Sequence, residues 1–108
     1  MTSNISIIGK RLKEARVHAG LSQERLGILA GIDEFSASAR MNQYERGKHE
    51  PGMEIMKRIA EKLHRPISYF YEVDDDLAHL IEIYGGLDQQ RKEKLLAIAV
   101  ELHGNQSE

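Results

Sequence analysis

Apolar residues recur every three to four positions along most of the chain, which is the spacing of α-helices. The first such helix carries Ile8, Leu12 and Ala15 on one side and is ended by Gly20. Glycine, proline and polar turns separate further segments of the same kind. The pattern predicts helices at about 7–19, 23–30, 37–46, 53–63, 68–72, 75–84 and 89–103. The predicted fold class is therefore all-α.

The stretch 21–51 has the layout of two short helices joined by an irregular turn. Ser22 suits the N-cap of the first, because its hydroxyl can accept a hydrogen bond from a free backbone N–H. Gly31 ends that helix, and the second places Met41 and Tyr44 toward the core. A short helix with a polar outer face, held at an angle by the helix before it, has the geometry that enters a DNA major groove.

Two motifs in this stretch resemble those of the Xre family, the lambda-repressor-like helix-turn-helix domains. The first is LSQE, which begins at Leu21, and the second is YERGK, which begins at Tyr44 and is followed by Glu50 and Pro51. The resemblance covers about residues 7–71 and implies a five-helix lambda-repressor-like DNA-binding domain. The spacing between the two motifs is longer than usual for the family, by about one helical turn.

The extra residues allow two starts for the third helix. Either the turn is longer and Ser36 caps the helix, or the helix gains a turn and Asp33 caps it. Both side chains are suitable N-caps. We favour Ser36 slightly. Phe35 then lies in the turn, where we expect its aromatic ring to pack into the core and not to stack on a base.

Alignment from the YERG end carries the family's base-reading positions to Ser38, Ala39 and Gln43, with Arg40 and Asn42 beside them. The side chains suit this role. Glutamine can bind adenine through its amide, serine can bond several base edges, and alanine can touch a thymine methyl group.

The resemblance also implies DNA-backbone contacts and one structural ion pair. The backbone contacts fall on Ser22, Gln23, Arg46 and Lys48. The ion pair joins Arg16 of the first helix to Glu45 of the YERG motif. Such a pair can fix one helix against another, because a guanidinium and a carboxylate bond at two points.

The distribution of charge matters more than its sum. The net charge of −2 argues against a nucleic-acid partner. Residues 1–66, however, hold 12 Lys/Arg and 8 Asp/Glu, or +4, whereas residues 67–108 hold 3 and 9, or −6. Only the front part is therefore expected to meet phosphate. Within it, Lys10, Arg11 and Lys13 are expected to be a solvated face, with Arg11 able to touch phosphate.

Composition excludes several other classes. The chain has no cysteine, so no disulfide, thiolate metal site or cysteine nucleophile is expected. No apolar run approaches the ~20 residues of a membrane span. The N-terminus lacks a signal-peptide pattern, and a bacterial cytoplasm is the default location. Residues 1–6 contain no Lys or Arg, so no arm in the minor groove is expected, and no metal or cofactor is implied.

The back part, 73–108, is predicted to be a helical hairpin distinct from the DNA-binding domain, 1–72. An acidic hinge at 73–76 leads into it, and Gly85-Gly86 is expected to turn the chain. The last helix carries a main apolar stripe, with Leu96 and Val100 on a second side. One hairpin cannot bury that much apolar surface, so we predict a dimer contact at Leu96 and Val100. The alternative is that the hairpin folds onto the first five helices.

Three functions can be ranked on these observations. The first is a homodimeric, sequence-specific regulator, above all a repressor, that binds a palindromic operator in double-stranded DNA. The second is an antitoxin that binds a basic protein partner through the acidic hairpin and also binds its own promoter. An enzyme is the weakest, because the histidines are scattered and no nucleophile–base pair or phosphate loop is present.

Overall fold

The computed structural model describes residues 6–106. They form α1 (Ile7–His18), α2 (Gln23–Leu29), α3 (Glu34–Glu45), α4 (Met53–Leu63), a 3-10 helix (Ile67–Tyr71), α5 (Asp75–Gly86) and α6 (Gln89–Gly104). No strand occurs in this part of the chain, which confirms the all-α prediction. The fifth predicted helix is a 3-10 helix. The expectation about a basic N-terminal arm concerns residues 1–5, which lie outside the described part.

The third helix begins one turn earlier than predicted, at Glu34. The preferred cap, Ser36, is wrong: Asp33 is the N-cap, and its Oδ2 accepts a hydrogen bond from the backbone N–H of Phe35 at 3.1 Å. Phe35 consequently lies on the first helical turn and is 93% exposed, so its expected packing into the core is also wrong. Ile32, which is 5% exposed, occupies the core in its place. Because Ile32 is fixed in the core, the next residue, Asp33, lies where the helix begins and can act as its N-cap.

The core is shared by the first four helices and the 3-10 helix. Its fully buried larger side chains are Phe70, Leu12, Leu26, Met41, Met56 and Ile59. Helices α2 and α3 approach closely at Gly27, where an added Cβ would lie 2.8 Å from the Cβ of Ala37. The glycine therefore allows the short distance that holds α3 against α2. From α5, only Ala78 is buried in this core.

Arg11 is buried, so the expectation that it is solvated or touches phosphate is wrong. Its Nε and Nη2 donate to the carbonyl oxygen of Glu72 at 3.0 and 2.7 Å. Its Nη1 lies 2.9 Å from Oδ1 of Asp75, the first residue of α5. The chain leaves the 3-10 helix and returns over α1, and this return covers Arg11. The acidic segment at 73–76 is thus tied to α1 at Asp75 and at the residue that precedes the segment, Glu72, and is not a free hinge.

A second arginine ties α5 to the core. Arg65 places its Nη2 3.1 Å from Oε2 of Glu82, on α5, and its guanidinium 4.6 Å from the ring centre of Tyr69. Arg11 lies near the same ring, at 5.8 Å. Burial raises the pKa of Tyr69, so this ring stays neutral between two cations. The α5 helix is therefore held to the predicted DNA-binding domain by two arginines.

The turn between the last two helices comes later than predicted. Gly85 and Gly86 belong to α5, and the connection is Leu87 and Asp88. Gly85 lies against Pro66, where an added Cβ would be 2.6 Å from the proline ring. This glycine therefore serves close packing and not the turn. Asp88 caps α6, as expected, by accepting the N–H of Arg91 at 2.8 Å.

Helix α6 packs only loosely on the rest of the molecule. None of its residues is buried, and it is not among the helices that pack closely on one another. Leu96 is 58% exposed and Val100 is 61% exposed. The alternative, in which the hairpin folds onto the first five helices, is therefore observed for α5 and not for α6, and the two helices do not pack closely as the predicted hairpin.

The ion pair between Arg11 and Asp75 should make the stability of the fold depend on pH. Hydrogen bonds from Arg11, and then from Lys10, lower the pKa of the Asp75 carboxyl. Its ionised form is favoured by folding, so the stabilisation is present above the unfolded pKa of about 3.9 and is lost as pH falls through the lower, folded value. We expect Asp75→Asn to reduce the free energy of unfolding near neutral pH, with a difference that disappears in acid. Urea unfolding at a series of pH values measures it.

Asp76→Asn is the matched control for this prediction. Asp76 is the next carboxylate on the same helical turn, and it forms no ion pair within residues 6–106. The test compares the free energy of unfolding of the wild type with that of each variant. If the loss caused by Asp75→Asn does not change with pH, or equals the loss caused by Asp76→Asn, the ion pair between Arg11 and Asp75 has no such effect.

Candidate DNA-binding surface

Helix α3 turns a continuous polar side away from the core. Its buried side consists of Ala37, Met41 and Tyr44. On the other sides, Ser38, Ala39, Arg40 and Gln43 are exposed, and Asn42 is half-buried. The residues predicted to read bases thus lie together on one short helix and are accessible.

Two of these residues are engaged by neighbours. Arg40 donates from Nη2 to the hydroxyl of Tyr44 at 2.7 Å, and its guanidinium lies 5.8 Å from that ring. Asn42 accepts from Nε2 of Gln23 at 3.3 Å. Ser38, Ala39 and Gln43 form no such side-chain hydrogen bond within residues 6–106. They are the base-reading candidates with the greatest freedom to face a ligand.

Arg16 and Glu45 form a buried ion pair that joins α1 to the end of α3. The guanidinium bonds both carboxylate oxygens, at 2.5 and 3.1 Å, and the two side chains are only 13% and 3% exposed. Arg16 also donates to the carbonyl oxygen of Leu21, at 2.8 Å, and Gln23 donates to Glu45 at 3.0 Å. All three helices of the motif are therefore linked at this one carboxylate.

The predicted phosphate-contacting residues lie at two helix ends. Ser22 is the N-cap of α2, where its Oγ accepts the N–H of Arg25 at 3.0 Å, and half-buried Gln23 follows it. Arg46 and Lys48 are exposed at the end of α3 and form no ion pair within residues 6–106. Gly47 between them has a φ of 74°, which suits a glycine at a helix end.

Sequence reasoning missed two residues near this surface. Arg25 is exposed on the first turn of α2, beside Ser22, and the signal for it was a cation directly after the LSQE motif. Phe35 is exposed on the first turn of α3. Its position depended on the choice of helix cap, so no simple pattern could have found it.

Other kinds of site are not supported in the described part. Residues 6–106 contain no group of three or more histidine, cysteine or acidic side chains placed to hold a metal ion. Within the same residues, no helix combines the length and the apolar character needed to cross a membrane.

Comparison with known proteins agrees with this geometry. Residues 9–75 match the family described as "Helix-turn-helix domain". Uncharacterized HTH-type transcriptional regulators of Sinorhizobium medicae (strain WSM419) and Rhizobium meliloti (strain 1021) are each 32% identical over 65 residues. These matches cover 60% of this chain and 44% of each relative, so the chain matches less than half the length of those curated proteins.

A solved structure extends the similarity to almost the whole chain. The crystal structure of the transcriptional regulator BswR superposes with a TM-score of 0.86 at 46% identity. The match covers 92% of this chain and 98% of that one, so it includes the helices after the motif. The chain belongs to the Xre-type helix-turn-helix family.

Proposed function

We propose that this regulator is a dimeric repressor that binds a palindromic operator. The observation that carries the proposal is the outer side of α3, where accessible polar side chains are followed by Arg46 and Lys48, which form no ion pair within residues 6–106. The nearby carboxylate of Glu45 is neutralised by Arg16 and buried. The carboxylate of Glu45 therefore does not repel DNA phosphates at the C-terminal end of α3.

Base reading and backbone contact are assigned to different residues. Ser38, Ala39 and Gln43 carry direct readout, with Arg40 and Asn42 beside them. Ser22, Gln23, Arg46 and Lys48 contact phosphate, because they lie at the ends of α2 and α3, where a groove-bound helix meets the backbone. In this division, affinity comes mostly from the second set and specificity from the first.

The C-terminal helices, 73–108, supply the dimer contact in this proposal. Helix α6 has 16 residues and none is buried, although it carries many apolar side chains. Between α4, α5 and α6 lies an open groove of about 810 Å³, lined by apolar side chains that include Leu80, Ile81 and Leu96. A second copy related by a twofold axis would cover Leu96 and Val100 on both chains at once.

The two arginine ties give this dimer a defined geometry. Arg11 and Arg65 hold the start and middle of α5 to the DNA-binding part, residues 1–72. If α6 also keeps a fixed angle to α5, the two copies of α3 would keep a constant separation, and a dimer reads half-sites about one DNA turn apart, ~34–36 Å. Occupation of such an operator within a promoter would block transcription in the bacterial cytoplasm.

Selection of bound sequences from random duplex DNA tests the proposed function as a whole. We expect an enriched inverted repeat, and a reporter gene under a promoter with that repeat should be repressed. Absence of any enriched sequence contradicts sequence-specific binding. An enriched single half-site contradicts the palindromic dimer alone, and activation of the reporter contradicts repression alone.

The uncovered side of α6 also supports a second candidate, an antitoxin-like regulator. A basic protein partner would cover Leu96 and Val100 in place of a second copy, attracted by the acidic charge of residues 67–108. A stoichiometric basic protein that copurifies with the chain, together with a monomeric purified chain, would favour this candidate over the homodimer.

Gln43→Ala should relax base preference at one position in each half-site. A lost bidentate contact with a base costs ~1–3 kcal/mol on the preferred sequence, while non-specific binding stays nearly unchanged. Competition binding against single-base operator variants measures the preference. Gln90→Ala, an exposed glutamine of α6, is the control. Equal weakening by Gln43→Ala on all sequences would instead place Gln43 among the backbone contacts.

Lys48→Ala should weaken binding to every DNA sequence. Each lost phosphate contact reduces the slope of log K against log salt by about one. Titrations at several salt concentrations give the slope, with Lys94→Ala, an exposed lysine of α6, as the control. If the slope of Lys48→Ala equals that of the wild type, Lys48 does not contact phosphate.

Leu96→Asp combined with Val100→Asp should give a folded monomer. Both side chains are exposed within the described chain, so the carboxylates cost little in the monomer but would be buried in the dimer. Light scattering measures the oligomeric state. The monomer should keep half-site preference and lose about 10²–10⁴-fold in affinity for the full operator. Lys94→Asp is the control, and a double variant that stays dimeric would place the interface elsewhere.

A further inference from the structure

Phe35 is unusually placed for a phenylalanine. It is 93% exposed, which makes it the most exposed of the large apolar side chains in the described part of the chain. It stands on the first turn of α3, the turn that exists because Asp33 and not Ser36 caps the helix. Phenylalanine is among the residues most often buried. An exposed phenylalanine therefore either contacts a binding partner or lowers the solubility of the protein.

The helical repeat puts Phe35 on the DNA-facing side. Positions separated by four, seven and eleven residues lie along one side of an α-helix. Counted from Phe35, these are Ala39, Asn42 and Arg46. The buried residues of α3 are on the opposite side. The additional turn therefore lengthens the proposed recognition surface at its N-terminal end and adds an aromatic ring to it.

The charges along α3 indicate which part of the DNA each end meets. Carboxylates lie beside Phe35, at Asp33 and Glu34, and the exposed cations Arg46 and Lys48 lie at the other end. Phosphates repel carboxylates, so the N-terminal end suits base edges, where a glutamate can accept from the amino group of cytosine. The N-terminal residues of a recognition helix also contact base edges in the helix-turn-helix docking geometry.

We propose that Phe35 is a specificity-determining residue that packs on the 5-methyl group of thymine in the major groove. A phenyl ring has no hydrogen-bonding group, and the thymine methyl is the apolar group that the major groove offers. Phe35 then selects thymine at one or two positions of each half-site, next to the bases read from Ser38 and Ala39. This inference rests on the proposed function and adds to it a contact outside the family's base-reading positions.

Replacement of thymine by uracil tests the contact, because it removes the methyl group and nothing else. Each thymine of the selected operator is replaced in turn, and binding of the wild type and of Phe35→Ala is measured. We expect the wild type to bind about fourfold more weakly at one or two uracil positions per half-site, the effect of one lost methyl-sized apolar contact. Phe35→Ala should bind thymine and uracil equally at those positions.

Val73→Ala is the matched control. Val73 is 73% exposed and lies outside the proposed DNA surface, so this variant should keep the wild-type uracil profile. Because Phe35 is so exposed, Phe35→Ala should also keep the wild-type melting temperature. Loss of binding by unfolding is thereby distinguished from loss of the contact.

The outcomes separate this inference from the function on which it rests. If Phe35→Ala keeps the wild-type uracil profile, the inference is overturned, and an accompanying change in oligomeric state would identify Phe35 as a protein contact. If the wild type shows no sequence preference on any DNA, the proposed function itself fails and the inference fails with it.

Discussion

The arrangement of the DNA-binding part depends on the buried ion pair between Arg16 and Glu45. The carboxylate receives the guanidinium of α1 and the amide of Gln23 on α2, and it belongs to the last turn of α3. Loss of one partner from such a pair costs about 3–5 kcal/mol, since the other charge stays buried alone. The pair therefore fixes α1, α2 and α3 against one another in the arrangement that the proposed DNA contacts require.

Helix α1 organises the back part of the molecule through a second arginine. Arg16 fixes α3, and Arg11, on the same helix, fixes the chain at Glu72 and Asp75. One helix thus contacts both α3 and the start of α5, while Arg65 holds the middle of α5. If α6 forms the dimer contact, the spacing of the half-sites depends on these two arginines and on the connection between α5 and α6 at Leu87 and Asp88.

Sequence patterns predicted the elements better than their ends and surroundings. Helical periodicity and the YERG motif predicted the helices and identified the family. Periodicity could not decide between Ser36 and Asp33, because both cap helices well and the choice depended on whether Ile32 entered the core. The burial of Arg11 was also unpredictable, since it results from a segment about sixty residues away that folds back over α1. The base and phosphate contacts, and the dimer contact, stay predictions.

Directed DNA cleavage tests the central claim, that two copies of α3 lie in successive major grooves of one operator. The chain contains no cysteine, so Ser38→Cys provides a single attachment point for an iron chelate. Two cleavage clusters are expected, symmetric about the operator centre and about one helical turn apart. If the protein remains bound but the chelate on Ser38→Cys cuts at one cluster only, or does not cut, two copies of α3 do not lie in successive major grooves.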